Sequence, residues 1–427
     1  MKLLWMIIYN GILYPLIFFF ALIASIFSKK IRDSMVGRYR APSILKEYFK
    51  EKGSNSKIYW FHASSLGEFY QIKTILEGLK EGQDDLVCIV SFSSPSGFDN
   101  AESDAMDLKF YIPFDFPWTV RGILNTVGPE KIVFASYDLW PNLVWISRAR
   151  GIHINLFSVR IKKGSLKLRV LIKGVFRVIY SSVSSIYTIS EKDMKGLCDI
   201  LGDAQGPRLR VMGNPRYDLV MRDAIQFRDQ DVGDMKDRDL RIIIGSAHRE
   251  EEEHLISAMV DLMNTYPDLR VLYALHEPSE SAISEIKKKF HDQGHVGTVF
   301  RKKTELALPS DRLVILGVVG ILSKLYWQCK IAYIGGGHST GVHNVMEPAV
   351  ARLPVLFGPR YHNSHEAEEL MANGGGFCVR DKDELLSTTK KLISDEKYCK
   401  ITSLAASDVI YKNVGSTSEM VRYVLSD

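Results

Sequence analysis

The sequence predicts an α/β protein with two doubly wound, parallel-sheet halves behind an apolar N-terminal segment that meets a membrane. Three observations carry this. Short β-branched runs alternate with helix-period patterns along most of the 427 residues, the signature of parallel strands joined by crossover helices. The polar, acid-rich stretch Met221–Asp239 has no apolar period and separates two halves of similar size, each long enough to bury its own core. From Leu3 to Phe27 no residue is charged. The expected organisation is a membrane anchor over 1–28, a first Rossmann-like domain over 29–220, a linker over 221–239 and a second Rossmann-like domain over 240–427. The last helix is a candidate to pack back on the first domain.

The anchor comes first in the chain. About 20 apolar residues suffice to cross the hydrocarbon, and a cleaved signal peptide would have a shorter core and a small-residue cleavage site. Lys29, Lys30, Arg32, Arg38 and Arg40 follow the run, against Lys2 before it. The positive-inside bias therefore assigns the rest of the chain to the cytoplasm. Pro15 also permits a bent helix that only dips into the leaflet, and a buried core helix is the competing reading. Strands are expected at Lys57–Phe61, Leu86–Phe92, Lys131–Phe134, Ile152–Phe157 and Ile186–Ile189 in the first half. In the second they are expected at Leu240–Ile244, Arg270–Leu275, Arg312–Leu316, Lys330–Ile334 and Pro354–Phe357. Doubly wound sheets bind ligands at the carboxyl ends of their strands, so the chemistry is expected in a cleft between the halves.

Composition narrows the classes. Apolar residues at 46% and charged residues at 25% exclude a mostly disordered chain, a collagen-like chain and a polytopic channel. A net charge of +5, from 55 basic and 50 acidic residues, is too mild to argue for nucleic acid. Five scattered cysteines without a CxxC pair support neither a disulfide framework nor a zinc site, and suit a reducing compartment.

The motifs fall at predicted strand ends. In His62-Ala63-Ser64-Ser65-Leu66-Gly67-Glu68 a helix is expected to start near Leu66. That places Glu68 in its first turn, where a carboxylate can stay ionised and act as a general base or serve merely as an end-charge. In Gly335-Gly336-Gly337-His338-Ser339-Thr340-Gly341-Val342-His343-Asn344 the glycines let backbone N–H groups approach an anion, and a helix is expected to begin near His343. Glu347 could accept hydrogen bonds from ribose hydroxyls. The spacing is not the dinucleotide fingerprint, which makes an oxidoreductase the weakest rival. Gly245-Ser246-Ala247-His248 forms a turn that could touch ligand, and the acids Glu250–Glu253 are read as suiting the helix dipole only. His276 stands at another strand terminus. Arg160, Lys162, Lys163, Lys167, Arg169, Lys173 and Arg177, interleaved with apolar residues, read as a basic amphipathic helix for an anionic membrane surface or as a solvated face. Asp229-Gln230-Asp231, Asp237-Arg238-Asp239 and Asp381-Lys382-Asp383 are read as solvated, so no metal cluster is expected.

At these motifs the sequence resembles the Kdo transferases, which add 3-deoxy-D-manno-octulosonic acid (Kdo) to lipid A precursors. The resemblance rests on His62–Glu68, Leu139-Trp140-Pro141-Asn142, Gly213-Asn214, Gly245–His248 and Gly341–Pro348 with Val355–Pro359. It implies a GT-B fold and inverting transfer from CMP-Kdo to a lipid IVA-type acceptor at the cytoplasmic face of the inner membrane, with no metal and no cofactor. It implies Glu68 as catalytic base, with Asp138 and Arg216 stabilising the transition state. It implies that CMP is held by Leu275, His276, Gly320, Ile321, Leu322, Asn344, Val345, Met346 and Glu347; Ser246, His248, Gly341 and His343, read from the turns themselves, are candidate donor contacts. The chain carries Asp138 where the family usually has Glu, and Arg216 where it usually has Lys. Two alternatives stay open: a GT-B enzyme using a UDP-sugar, and a membrane-tethered lipid A binding protein without catalysis.

Overall fold

The computed structural model describes the chain except residues 1, 52–55, 84, 137, 162–166, 168–169, 203–205, 229–237, 304–306 and 427. It divides into two units, Met1–Leu219 with Gly415–Asp427, and Val220–Val414.

The first unit is built on seven parallel strands. In chain order they are β1 (Lys57–Ala63), β2 (Leu86–Phe92), β3 (Leu108–Tyr111), β4 (Lys131–Ala135), β5 (His153–Val159), β6 (Ser185–Thr188) and β7 (Arg208–Val211), arranged β3-β2-β1-β4-β5-β6-β7. Their runs read as near-continuous apolar sequence because helices cover both faces. Alternation along β1 shows it. Trp60 joins Ile89, Phe110 and Ile132 on one face, while Tyr59 and Phe61 join Val90, Val133 and Phe157 on the other. The C-terminal helix Ser416–Ser426 belongs to this second face, where Met420 and Val424 are fully buried. Strand order reverses between β1 and β4, and that is where an open α/β sheet gathers ligands.

The second unit repeats the plan with β8 (Arg241–Ala247), β9 (Arg270–Leu275), β10 (Thr298–Phe300), β11 (Leu313–Leu316), β12 (Ile331–Ile334), β13 (Val355–Phe357) and β14 (Gly376–Cys378), arranged β10-β11-β9-β8-β12-β13-β14. Here the order reverses between β8 and β12.

Two expectations need correction. The helix Arg216–Arg228 runs into the predicted linker, because Val220, Ala224 and Phe227 are buried at helical spacing, a short apolar stripe hidden among charges. The basic helix forms as Val170–Tyr180, shorter than the run of cations read from sequence, and two of those cations are engaged within the unit. The Lys167 ammonium donates to the Tyr180 hydroxyl at 3.1 Å, and Arg177 donates to the Ile200 carbonyl at 2.9 Å. Burial lowers the Lys167 pKa to about 8. Lys162, Lys163 and Arg169 lie outside the described residues.

Candidate functional site

In the first unit the end of β1 delivers His62 and the turn to Glu68. Ser65 caps the helix Leu66–Lys80 by accepting from the Glu68 N–H. The Glu68 carboxylate folds back over that turn, where Oε2 accepts from the Ser64 N–H at 2.6 Å and from the Ser64 hydroxyl. The residue is only 9% exposed. Burial raises its pKa, the Ser64 hydrogen bonds oppose the rise, and the charge of Asp138 adds to it. The carboxyl is therefore a stronger base than a free glutamate, and its oxygens are already fixed in direction.

Asp138 follows β4, across the switch point. His62 Nε2 lies 3.0 Å from Asp138 Oδ2, and the Ser93 hydroxyl donates to the same oxygen at 2.6 Å. Burial would raise the Asp138 pKa, but its hydrogen bond to His62, the attraction of that ring, the Ser93 hydroxyl and the Arg38 charge bring it down to about 2. His62 is fully buried; its Nδ1 lies 2.9 Å from Ser91 Oγ. Trp140 Nε1 lies 3.3 Å from His62 Nε2, and the Arg38 guanidinium stacks 4.4 Å from the Trp140 ring centroid. A cavity of about 260 Å³ opens beside this group, walled by Tyr14, Phe18, Ala21, Arg38, Ser93 and Trp140 among others. Sequence reasoning missed Arg38, Ser93 and His62 as partners of Asp138. The signal was weak: each comes from a different element, and Arg38 reads as one more cation after an apolar run.

Arg216 opens the helix Arg216–Arg228, beyond β7 at the far edge of the sheet. The fold nevertheless ties that helix to the one carrying Glu68. Asp218 accepts from Gly415 N, Thr417 N and the Thr417 hydroxyl, and that hydroxyl pairs with Thr74 at 2.9 Å. The C-terminal helix thus clamps the two candidate-bearing helices together.

In the second unit the switch point collects three histidines. His248 follows β8, His276 follows β9 and His343 lies in the glycine turn after β12. Their ligating nitrogens lie within 4.8 Å of one another, with His248 Nε2 and His343 Nε2 2.6 Å apart. The rings stack with centroids 4.4 to 4.9 Å apart. Burial and then the neighbouring imidazoles push His343 down to about 4; burial and His276 lower His248. Such a trio suits a transition-metal ion when neutral, or an anion once protonated. No spacing in the sequence predicted it, because each histidine comes from a different strand.

The glycine turn is built to approach the end of β8. A Cβ on Gly335 would lie 2.1 Å from the Ser246 carbonyl, and one on Gly337 2.5 Å from the Gly358 nitrogen. Ser246 itself takes φ +56°, at the irregularity between Ile244 and Ala247. Glu251, read from sequence as a dipole charge, is fully buried and accepts from the His338 N–H at 3.1 Å. It locks the His248 turn to the glycine turn, and burial raises its pKa to about 7. The helix expected near His343 starts instead at Met346 and spans only Met346–Val350. Asn344 donates to Glu347 Oε1 at 2.8 Å and accepts from the Met346 N–H, so Glu347 is oriented by its own turn. Leu322 and Tyr326 line the space a Gly245 Cβ would occupy; Gly320, at φ +85°, and Ile321 lead into the short helix Leu322–Leu325. Leu275 ends β9, and the His276 N–H donates to the Ala247 carbonyl at 2.9 Å. Gly341 packs on Asn363, and Val345 precedes the short helix. Of the acidic triplets, Asp229–Asp231 and Asp237 lie outside the described residues. Asp239 is ion-paired with Arg241 and Arg270, and Asp381 caps a helix.

Two seven-stranded parallel sheets, each doubly wound with its candidate residues at the switch point, define a protein of the GT-B fold class. Solved structures agree on the fold. A UDP-GlcNAc 2-epimerase from Neisseria meningitidis bound to UDP-GlcNAc aligns with TM-score 0.60 at 13% identity, covering 87% of this chain and all of that one. MurG from Acinetobacter baumannii aligns at 0.55 and 12% identity, with the same coverage. Sequence comparison goes further. The family model for 3-deoxy-D-manno-octulosonic-acid transferase matches residues 39–219. The 3-deoxy-D-manno-octulosonic acid transferase of Aquifex aeolicus is 27% identical over 84% of this chain and 93% of its own length. That of Haemophilus influenzae is 24% identical over 98% and 97%. The chain is a glycosyltransferase, and the Kdo transferases are the family it is similar to over most of its length.

Proposed function

We propose that this enzyme transfers Kdo from CMP-Kdo to a lipid IVA-type lipid A precursor, with inversion and without a metal, at the cytoplasmic face of the inner membrane. The observation that carries the reading is the Glu68 carboxylate, buried, fixed by Ser64 and raised in basicity beside Asp138 at the first switch point. In this reading an acceptor hydroxyl loses its proton to Glu68 as its oxygen bonds to the anomeric carbon of Kdo. The bond from that carbon to the CMP phosphate breaks, and the electron pair leaves with the phosphate. Asp138, held ionised, stabilises positive charge developing on the sugar, and Arg216 offsets charge on the leaving group. The histidine trio, Asn344 and Glu347 hold the donor. Its phosphate and carboxylate would favour protonation of imidazoles that are neutral without it, and Glu347 suits ribose hydroxyls.

Incubation with CMP-Kdo and a lipid A precursor, followed by mass analysis, tests this directly. A product heavier by one or more Kdo residues with release of CMP is expected. Turnover of a UDP-sugar with release of UDP would replace the donor assignment.

A further inference from the structure

The apolar helix Lys2–Phe27 is fastened to the first unit along its length, not merely joined to it at one end. Tyr9 donates to Asp115 at 2.9 Å, Asn10 and Asn142 exchange side-chain hydrogen bonds at 2.7 and 3.1 Å, and the Tyr14 hydroxyl accepts from the Asp115 N–H at 2.6 Å. Asp115 and Asn142 are both 1% exposed and belong to the α/β body. Tyr9 and Tyr14 are five residues apart, and a single π-helical turn at Tyr9–Leu13 brings both onto one face. Pro15 follows at once, where the widened turn tolerates its missing N–H. Tyr14, Phe18, Ala21 and Ser25 continue the protein-facing stripe; Phe18 meets Phe114 and Phe116 edge-on, 5.1 and 5.3 Å away.

The opposite face carries only apolar side chains in the open. Leu3, Ile7, Leu16, Phe20, Ile23 and Phe27 are exposed, Phe27 by 85%. Trp118, 69% exposed, stacks on Phe116 at the edge of this face, as aromatic residues do at a membrane interface. Lys29, Lys30 and Arg32 follow the helix.

A spanning orientation is incompatible with this arrangement. The helix midpoint is at Tyr14, so the clasp would sit near the centre of a hydrocarbon layer about 30 Å thick. Asp115, Asn142 and the polar surface around them would have to follow it there, at several kcal/mol for each unsatisfied group. We infer that the N-terminal helix lies in the plane of the membrane interface, clasped to the first unit on one side and immersed in acyl chains on the other, and does not cross the bilayer. Lipid is the one partner that fits a wide apolar face flanked by a tryptophan and a basic cluster. The inference rests on reading this segment as the membrane anchor of the enzyme.

The test uses the full chain with Lys2→Cys, reconstituted into phosphatidylethanolamine–phosphatidylglycerol vesicles and treated with a membrane-impermeant maleimide. Native Cys198, which is exposed, is the internal reference, and modification is mapped at both positions on the same molecules. An in-plane helix keeps the two on one side, so they are modified together or protected together whichever way the protein faces. A spanning helix makes their modification mutually exclusive, and that result overturns the inference. Failure of the protein to float with the vesicles overturns it as well. Kdo transfer measured on the same vesicles reads the proposed function separately.

Discussion

At Glu68 one side chain serves both a helix start and the proposed chemistry, and the two uses can be separated. Glu68→Gln keeps a carbonyl oxygen for the Ser64 N–H but cannot take a proton. It is expected to lower kcat by roughly 10²–10⁴-fold with little change in melting temperature. An unchanged rate would assign the residue to capping alone. Because burial raises the Glu68 pKa, the acid limb of kcat/KM should lie above the ordinary carboxylate range. Asp138 behaves oppositely. Its pKa of about 2 keeps it ionised throughout the working range, and Asp138→Ala leaves the buried His62 without that partner, at about 1–3 kcal/mol. His343 gives a stability signature. Burial and its histidine neighbours depress it to about 4, so the unfolded chain binds this proton more readily than the folded one. The stability it lends is present above pH 6.5 and is lost as the pH falls from there through 4. Thermal denaturation from about pH 7 to 4 should show that loss, and His343→Asn should flatten it.

At the level of elements, close approach and burial set the consequences. Gly335→Ala would drive a Cβ into the Ser246 carbonyl, so the glycine turn must move from β8, and CMP affinity measured by calorimetry should fall. Met420→Ala empties a fully buried position under the C-terminal helix and should cost about 2–5 kcal/mol in denaturant unfolding. Such elements differ in how far the sequence announces them. The ten strands read from β-branched runs are all present to within a few residues. The four missed, β3, β7, β10 and β14, are the outer strands of the two sheets. An outer strand has one neighbour and less to bury, so Arg208–Val211 can alternate charged and apolar residues and Gly376–Cys378 can be three residues long. The buried acid Glu251 was equally hidden, since a run of four glutamates looks the same whether one of them faces inward or none does.

For the whole molecule, the central regularity is that both units place their distinctive residues where strand order reverses: His62, Glu68 and Asp138 between β1 and β4, and Ser246, His248 and the glycine turn between β8 and β12. The motifs could be located in sequence because strand-end loops carry unusual residue types. Their partners could not, because Arg38, Ser93 and the histidine trio meet only once distant elements are packed. The trio also makes the metal question a real one. Dialysis against EDTA should leave Kdo transfer unchanged, whereas loss restored by added zinc would assign a metal to His248, His276 and His343. The most direct test of the proposed mechanism is a paired measurement on the Glu68→Gln enzyme: CMP-Kdo affinity, and single-turnover formation of the Kdo-bearing lipid. The account predicts donor affinity like that of the native enzyme with product formation slowed at least about a hundredfold; product formed at the native rate would contradict it.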